Sequence, residues 1–249
     1  MDQNPLPGCN GDSEARGTRV VEGVLARLPL FAHLQPRELT ALARLARALE
    51  VRRGTCIVRR GERMPGALSF AYGSAKLSLR RGVGDERVMR FVNRGGTFGM
   101  AETLSDAPCR GDLVALADSC VVVLPQGPLL RLLDLHSHFA RALAQFLCGE
   151  VIELGEEIDV CLQRSALQRL ARYLVSLMGA QNGHAPVIRL PASKAVVAAR
   201  VGITKETMSR MLRELSERKV LTVMGSELTV TDADALTALG DSGSRASEH

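Results

Sequence analysis

Residues 191–215 read PASKAVVAARVGITKETMSRMLREL, and no other stretch limits the fold as tightly. Its apolar residues form two sets. Val196, Val197 and Val201 share one helical face, while Met208, Met211, Leu212 and Leu215 repeat at three- and four-residue steps. Between the sets lies Gly202, a residue free to take the positive φ that ends a helix and turns the chain. Ser193 and Thr204 each stand where a side-chain oxygen can accept from the free N–H groups of a following first turn. The pattern predicts helix, tight turn, helix. Downstream, the runs 219–224 and 227–231 flank Gly225-Ser226 and predict a hairpin, and Asp232 is placed to cap a last helix over 233–239.

The outward positions of the second helix carry chemistry suited to a DNA groove. Glu206, Ser209 and Arg210 fall on one face at steps of three and four. Arg can hold guanine with two bonds, Glu can accept from the cytosine amino group, and Ser can bond a base or a phosphate. Thr204, Lys205, Thr207 and Arg213 surround them as candidates for backbone phosphate.

Composition narrows the alternatives. The 249 residues suit one or two domains, and 46% hydrophobic content supplies packed cores. The formal net charge of +5 is compatible with nucleic acid. Aromatics make up only 3% and Trp is absent, which disfavours single-strand or RNA binding through stacking platforms. The chain has no apolar run long enough for a membrane span, and its first residues lack the pattern of a signal peptide. A cytoplasmic protein is expected, with its six cysteines as reduced thiols. No nucleophile–base motif, metal-spaced His/Cys set or phosphate-cradling glycine loop is present, so an enzyme is not expected.

Upstream the pattern changes twice. Residues 1–19 are polar and rich in Gly and Pro, and read as a disordered tail. After a short amphipathic segment over 20–28, a helix is expected from Gln35 to about Ala48. Strand-length pieces then alternate with glycine-marked turns to Pro125, the signature of an antiparallel sandwich or barrel. From residue 137, Ala140, Ala144, Leu147, Val151, Leu154, Ile158 and Cys161 repeat at steps of four and three. That is a heptad seam, and it predicts a two-stranded coiled coil and hence a homodimer. A Leu-rich helix over 166–178 and a short strand over 186–190 lead back to the helix-turn-helix.

Thr204-Lys-Glu-Thr-Met-Ser-Arg210 resembles the recognition helix of the CRP/FNR family of bacterial transcription regulators, and the likeness extends over about residues 25–240. Glu206, Ser209 and Arg210 are closer in pattern to the FNR and denitrification-regulator (Dnr-type) branches than to the cAMP receptor. The resemblance implies an α+β chain: an N-terminal cyclic-nucleotide-binding-type β-roll, a long dimerisation helix and a C-terminal winged helix-turn-helix. The implied divisions are a tail at 1–19, a sensor domain at 20–135, a dimerisation helix at 136–163, a DNA-binding domain at 164–240 and a tail at 241–249. Gly61, Gly73 and Gly96 match the family's recurring turn glycines. The implied partners are double-stranded DNA carrying TTGAT-like half-sites, a second copy of the chain, and RNA polymerase.

The family's effector pocket maps onto Gly99 to Asp112. Arg110 stands where the phosphate-binding Arg belongs, Met100 replaces the ribose-binding Glu, and Gly111 replaces a Ser/Thr. Glu102 and, on the dimer helix, Leu154 complete the expected pocket. Two polar partners are lost, at a cost of ~1–3 kcal/mol each, so cAMP is disfavoured. The alternative is a cyclic-nucleotide-responsive activator with a divergent pocket, in which Arg110 keeps its role; otherwise Arg110 is expected to form an ion pair with Asp106 or Asp112. An FNR-type iron–sulfur cluster is not expected, because only Cys9 lies upstream of the sheet domain. The Dnr likeness implies haem and nitric oxide, with His33, His136, His138 and Met100 as candidate axial ligands. Cys56, Cys109, Cys120, Cys148 and Cys161 read as small buried hydrophobes, and Cys109, beside Arg110, is the one to check for a lowered pKa. His184 falls in a polar loop and is expected to be exposed.

Overall fold

The computed structural model describes residues 11–82, 85–163, 165–180 and 187–241, with side chains described outside 11–17, 81–85, 156–163 and 180. The expectations for Cys9, His184, Ile158, Cys161 and the tail 242–249 lie outside the described residues or side chains. Contacts divide the chain into two compact units, one of residues 1–77 and 91–149, the other of 78–90 and 150–249.

The first unit is built on antiparallel strands. Helix α1 (Gly11–Leu25), a 3-10 turn (Pro29–Phe31) and α2 (Pro36–Leu45) precede them. One sheet runs in the order β1 (Arg47–Val51), β8 (Ser119–Leu124), β3 (Ala67–Tyr72), β6 (Thr97–Phe98). The other runs β2 (Cys56–Val58), β7 (Asp112–Ala115), β4 (Ser74–Gly82), β5 (Asp85–Asn93), and its residues 78–90 are the part of β4 and β5 that falls in the second unit. Strand β8 explains why the sequence SCVVVL carries no alternation: all six residues are buried. Val121 and Val123 pack with Leu68, Phe70 and Phe98, whereas Val122 and Leu124 pack with Leu25, Leu42, Leu129 and Phe139. A strand covered on both faces reads as a continuous apolar run.

Two helices depart from the expected outline. A polar tail was expected to residue 19, but α1 begins at Gly11; its second half seats Val21 and Leu25 in the core, at 1% and 0% exposure. Burial of one face sustains a helix whose first residues have no strong helical pattern. Helix α2 stops at Leu45 rather than near Ala48, because residues 47–51 pair with β8 from Arg47↔Val123 to Val51↔Ser119. Three further helices follow β6 and β8: α3 (Met100–Ser105), α4 (Gln126–Leu135) and α5 (Ser137–Gln163). Helix α4 was not foreseen; its Leu129 and Leu132 enter the same core as α1 and α2.

Helix α5 runs for 27 residues with no break, the long helix expected over this stretch. Phe139 and Leu143 are buried in the first unit's core, while Val151, Ile152 and Leu154 are 67%, 64% and 56% exposed.

The second unit has one core. It collects Leu170 and Leu174 from α6 (Ala166–Ala180), Val197 and Val201 from α7 (Lys194–Val201), Met208, Leu212 and Leu215 from α8 (Lys205–Glu217), and Leu236 from α9 (Ala233–Asp241). A three-stranded sheet of β10 (Leu221–Met224), β11 (Glu227–Val230) and β9 (Val187–Arg189) closes it. β10 and β11 form the expected hairpin, with Met224 opposite Glu227 and Gly225 at φ +62° between them. Asp232 accepts from the Ala235 N–H at 2.8 Å and caps α9, which runs on to Asp241.

Of the turn glycines, Gly73 is the most constrained: φ is +83°, and a Cβ there would lie 2.6 Å from Ser119 Cα. Gly73→Ala is expected to lower stability by ~1–3 kcal/mol, read from the urea midpoint at unchanged slope.

Candidate nucleic-acid interface

The turn between α7 and α8 is fixed by backbone geometry. Gly202 ends α7 with φ +76° and ψ +43°, in the left-handed conformation. The N–H groups of Gly202 and Ile203 both donate to the Ala198 carbonyl, at 2.9 and 3.0 Å. Thr204 starts α8 from an extended conformation, and its hydroxyl accepts from the Thr207 N–H at 3.2 Å. Ser193 precedes α7 but makes no side-chain cap, contrary to the expectation. On α7 the buried set is Val197, Ala198 and Val201, with Val196 only half-buried.

A residue that the sequence did not single out holds this turn in place. Arg169, on α6, donates from Nε to the Val201 carbonyl at 3.1 Å and from Nη2 to the Gly202 carbonyl at 3.3 Å. A guanidinium fork thus satisfies carbonyls that a helix end leaves free. The partners lie 32 and 33 residues apart, so no local pattern reveals them.

With Met208, Leu212 and Leu215 buried, α8 has one face left for solvent. Lys205, Glu206, Ser209, Arg210 and Arg213 are all exposed there, Thr204 is exposed at the cap, and Thr207 is half-buried. Among the described residues, Arg210 and Arg213 make no hydrogen bond or ion pair within the chain, so their guanidinium groups are available to an outside acceptor. The Glu206 carboxyl is held below its usual range by its own backbone N–H, then by the Thr204 hydroxyl, with a smaller contribution from Lys205. It therefore stays an anionic acceptor through the neutral range. The adjoining sheet is pinned by an ion pair across β9 and β11, Arg189 Nη2 to Glu227 Oε1 at 2.8 Å.

The expected effector residues are not alike in their surroundings. Met100 is 2% exposed in the core of the first unit, Glu102 is half-buried and Arg110 is exposed. The ion pair expected for Arg110 is absent among the described residues. Asp106 pairs with Arg63 instead, and Asp112 accepts from the Arg60 N–H at 2.9 Å. Arg110 is left as an unpaired cation. Leu154 is exposed on the part of α5 that belongs to the second unit. Of the seam, Ala144, Val151 and Leu154 are exposed, Leu147 and Ala140 half-buried.

The candidate haem ligands converge in part. His33 and His138, far apart in sequence, bring their rings to a centroid separation of 6.1 Å. His136 lies 3.6 Å from Glu38. Both His33 and His138 are exposed. The Cys109 expectation is reversed: burial pushes the thiol pKa up, and its sulfur donates to the Gly111 carbonyl at 3.2 Å. Burial, aided by Glu50, pushes Cys120 up to about 11.

Residues 168–239 match the family model described as a Crp-like helix-turn-helix domain, and residues 48–136 match that of a cyclic nucleotide-binding domain. The fumarate and nitrate reduction regulatory protein of Salmonella typhimurium is 25% identical over 198 residues, covering 78% of this chain and 79% of that protein. The cyclic AMP receptor protein of Thermus thermophilus is 27% identical over 209 residues, covering 84% and 94%. The structure of FixK2 from Bradyrhizobium japonicum aligns with a TM-score of 0.69 at 21% identity, covering 78% of this chain and 96% of that one.

Removing the Thr204 hydroxyl tests the electrostatics of the α8 start. A carboxyl depressed in the folded state stabilises the fold above its unfolded pKa, and that contribution is lost as pH falls through the folded value. In Thr204→Val, the Glu206 carboxyl titration followed by NMR is expected to move up towards the ordinary Glu range, and the helix to lose ~1 kcal/mol with its cap.

Proposed function

The chain belongs to the CRP/FNR family of transcription regulators, a family of DNA-binding proteins rather than enzymes, and from that premise we propose that it acts as a homodimer reading a palindromic, TTGAT-like site. The observation that carries this reading is the exposed face of α8, with Glu206, Ser209 and Arg210 at its centre. Arg210 supplies a guanine contact, Glu206 a carboxylate for a cytosine amino group, and Ser209 a short hydroxyl between them. Thr204, Lys205, Thr207 and Arg213 flank the set and suit phosphate. Exposed Val151 and Leu154, with Ala144, give α5 an apolar seam that a second copy would cover. Two such readers suit inverted half-sites ~34 Å apart, one turn of DNA. RNA polymerase is the partner through which such a regulator acts, and the cytoplasm is where both DNA and polymerase are met.

For the input we propose a haem/nitric oxide or redox signal received in the sensor domain, in preference to cAMP. Against cAMP stands the ribose position, where Met100 is apolar and buried. In favour of haem stands the convergence of His33 and His138, which offers imidazole donors on one edge. Both rings are exposed, so they bring ligands without the apolar enclosure that a resident haem needs. Among the thiols, raised values at Cys109 and Cys120 make these two poor redox sensors at neutral pH. The signal is transmitted by favouring one of two arrangements of the dimer helices. A second reading rests on Arg110, which is exposed and unpaired and can still meet a cyclic phosphate. Calorimetry with cAMP and cyclic di-GMP separates the two: uptake of either nucleotide, lost in Arg110→Gln, supports the second. An absorption spectrum with added haem and nitric oxide tests the first, and no Soret shift would remove it.

Arg210→Ala is expected to weaken specific DNA binding by ~1–3 kcal/mol and relax preference at one base position, while Arg213→Ala weakens specific and random DNA alike and flattens the salt slope by about one. Equal loss on both DNAs for Arg210→Ala would remove its base-reading role.

A further inference from the structure

A second candidate binding site lies in the first unit, apart from Met100, Glu102 and Arg110. Where α1 faces β3 and the turn before β6, a cleft of about 270 Å³ opens, lined by Arg19, Val20, Val24, Arg27, Phe70 and Arg94. Arg19, Gly23 and Arg27 succeed one another at four-residue steps. The glycine in the middle leaves a gap between the two arginines, and a Cβ there would meet nothing within 4 Å. Arg94 closes the rim from the sheet side, beside Gly95 at φ +77°.

The electrostatics are unbalanced. Arg19, Arg27 and Arg94 are all exposed, and among the described residues none forms a hydrogen bond or an ion pair. Three like charges share one small cleft, with no acidic residue among the described residues of its lining. An anion relieves that repulsion, and guanidinium groups grip a carboxylate through paired hydrogen bonds. The accessible apolar surface is Val20, 44% exposed, with half-buried Val24 and Ala71, and buried Leu28 and Phe70 lie behind it. A bare inorganic anion would leave those walls wet. The volume falls just below the ~300–1,000 Å³ of ordinary small-molecule sites, so the ligand is small.

We propose that this cleft binds a small amphipathic carboxylate, a medium-chain or aromatic acid. The carboxylate meets the three arginines, and the apolar body lies over Val20 and Val24. The site joins α1 to β3, so its occupation would stabilise α1 on the sheet. The proposal does not depend on the DNA-binding reading or on the nature of the signal received elsewhere in the sensor domain.

Octanoate titrated into the full-length protein by calorimetry provides the test, with octan-1-ol and inorganic phosphate as single-feature controls. Saturable binding of one octanoate per chain is expected, with neither control binding comparably. Arg27→Gln and Arg94→Gln should each weaken octanoate about tenfold. Gly23→Leu fills the cleft without touching its charge and favours helix, so it should abolish octanoate binding while the protein stays folded by circular dichroism. The proposal is overturned if octanoate fails to saturate, if octanol or phosphate binds as well, if Gly23→Leu binds like the parent, or if the two cleft arginine variants keep full affinity.

Discussion

The exposed face of α8 depends on one left-handed residue. With Gly202 at φ +76°, α7 ends and α8 leaves in a new direction, so Met208, Leu212 and Leu215 reach the core that Val197 and Val201 already occupy. A side chain at this position is strained because L-residues rarely adopt that φ, whereas the Arg87 guanidinium that a Cβ would meet is the end of a flexible side chain that can move aside. Arg169 then secures the carbonyls on the far side of the turn. The exposure of Glu206, Ser209 and Arg210 follows from that arrangement, since burying one side of an amphipathic helix decides what the other side can touch.

Helix α5 solves a different problem with the same period. Phe139 and Leu143 anchor its first half in the sheet domain, whereas Val151, Ile152 and Leu154 leave its second half apolar and open. Burying large aliphatic side chains is worth ~1.5–3 kcal/mol each, which is the energetic basis of the proposed pairing with a second copy of the helix. One helix therefore belongs to a folded core at one end and carries exposed apolar side chains further along.

How far the sequence revealed these features depended on whether their cause was local. The helix-turn-helix, the Gly225-Ser226 hairpin and the Asp232 cap were legible because each rests on a glycine, a capping oxygen or an apolar period within a few residues. Helix α4 was missed because it carries no cap and follows a strand that is apolar throughout. The end of α2 was misplaced because pairing of residues 47–51 with β8 overrides the helical pattern. Arg169 was invisible because its carbonyl partners lie on another helix. The partners of Asp106 and Asp112 were misread for the same reason: nearness in sequence pointed to Arg110, and the fold supplied Arg63 and Arg60. For Cys109, the neighbouring arginine suggested a lowered pKa, yet burial dominates and raises it.

The central claim is that two copies of the α8 face read one inverted repeat. Selection of the full-length protein against a random duplex pool tests it most directly, with sedimentation of the selected complex to count chains. The account predicts enrichment of two inverted TTGAT-like half-sites, centred about one helical turn apart and carrying two chains. Enrichment of a single unpaired motif carrying one chain, or no sequence enrichment at all, would contradict it.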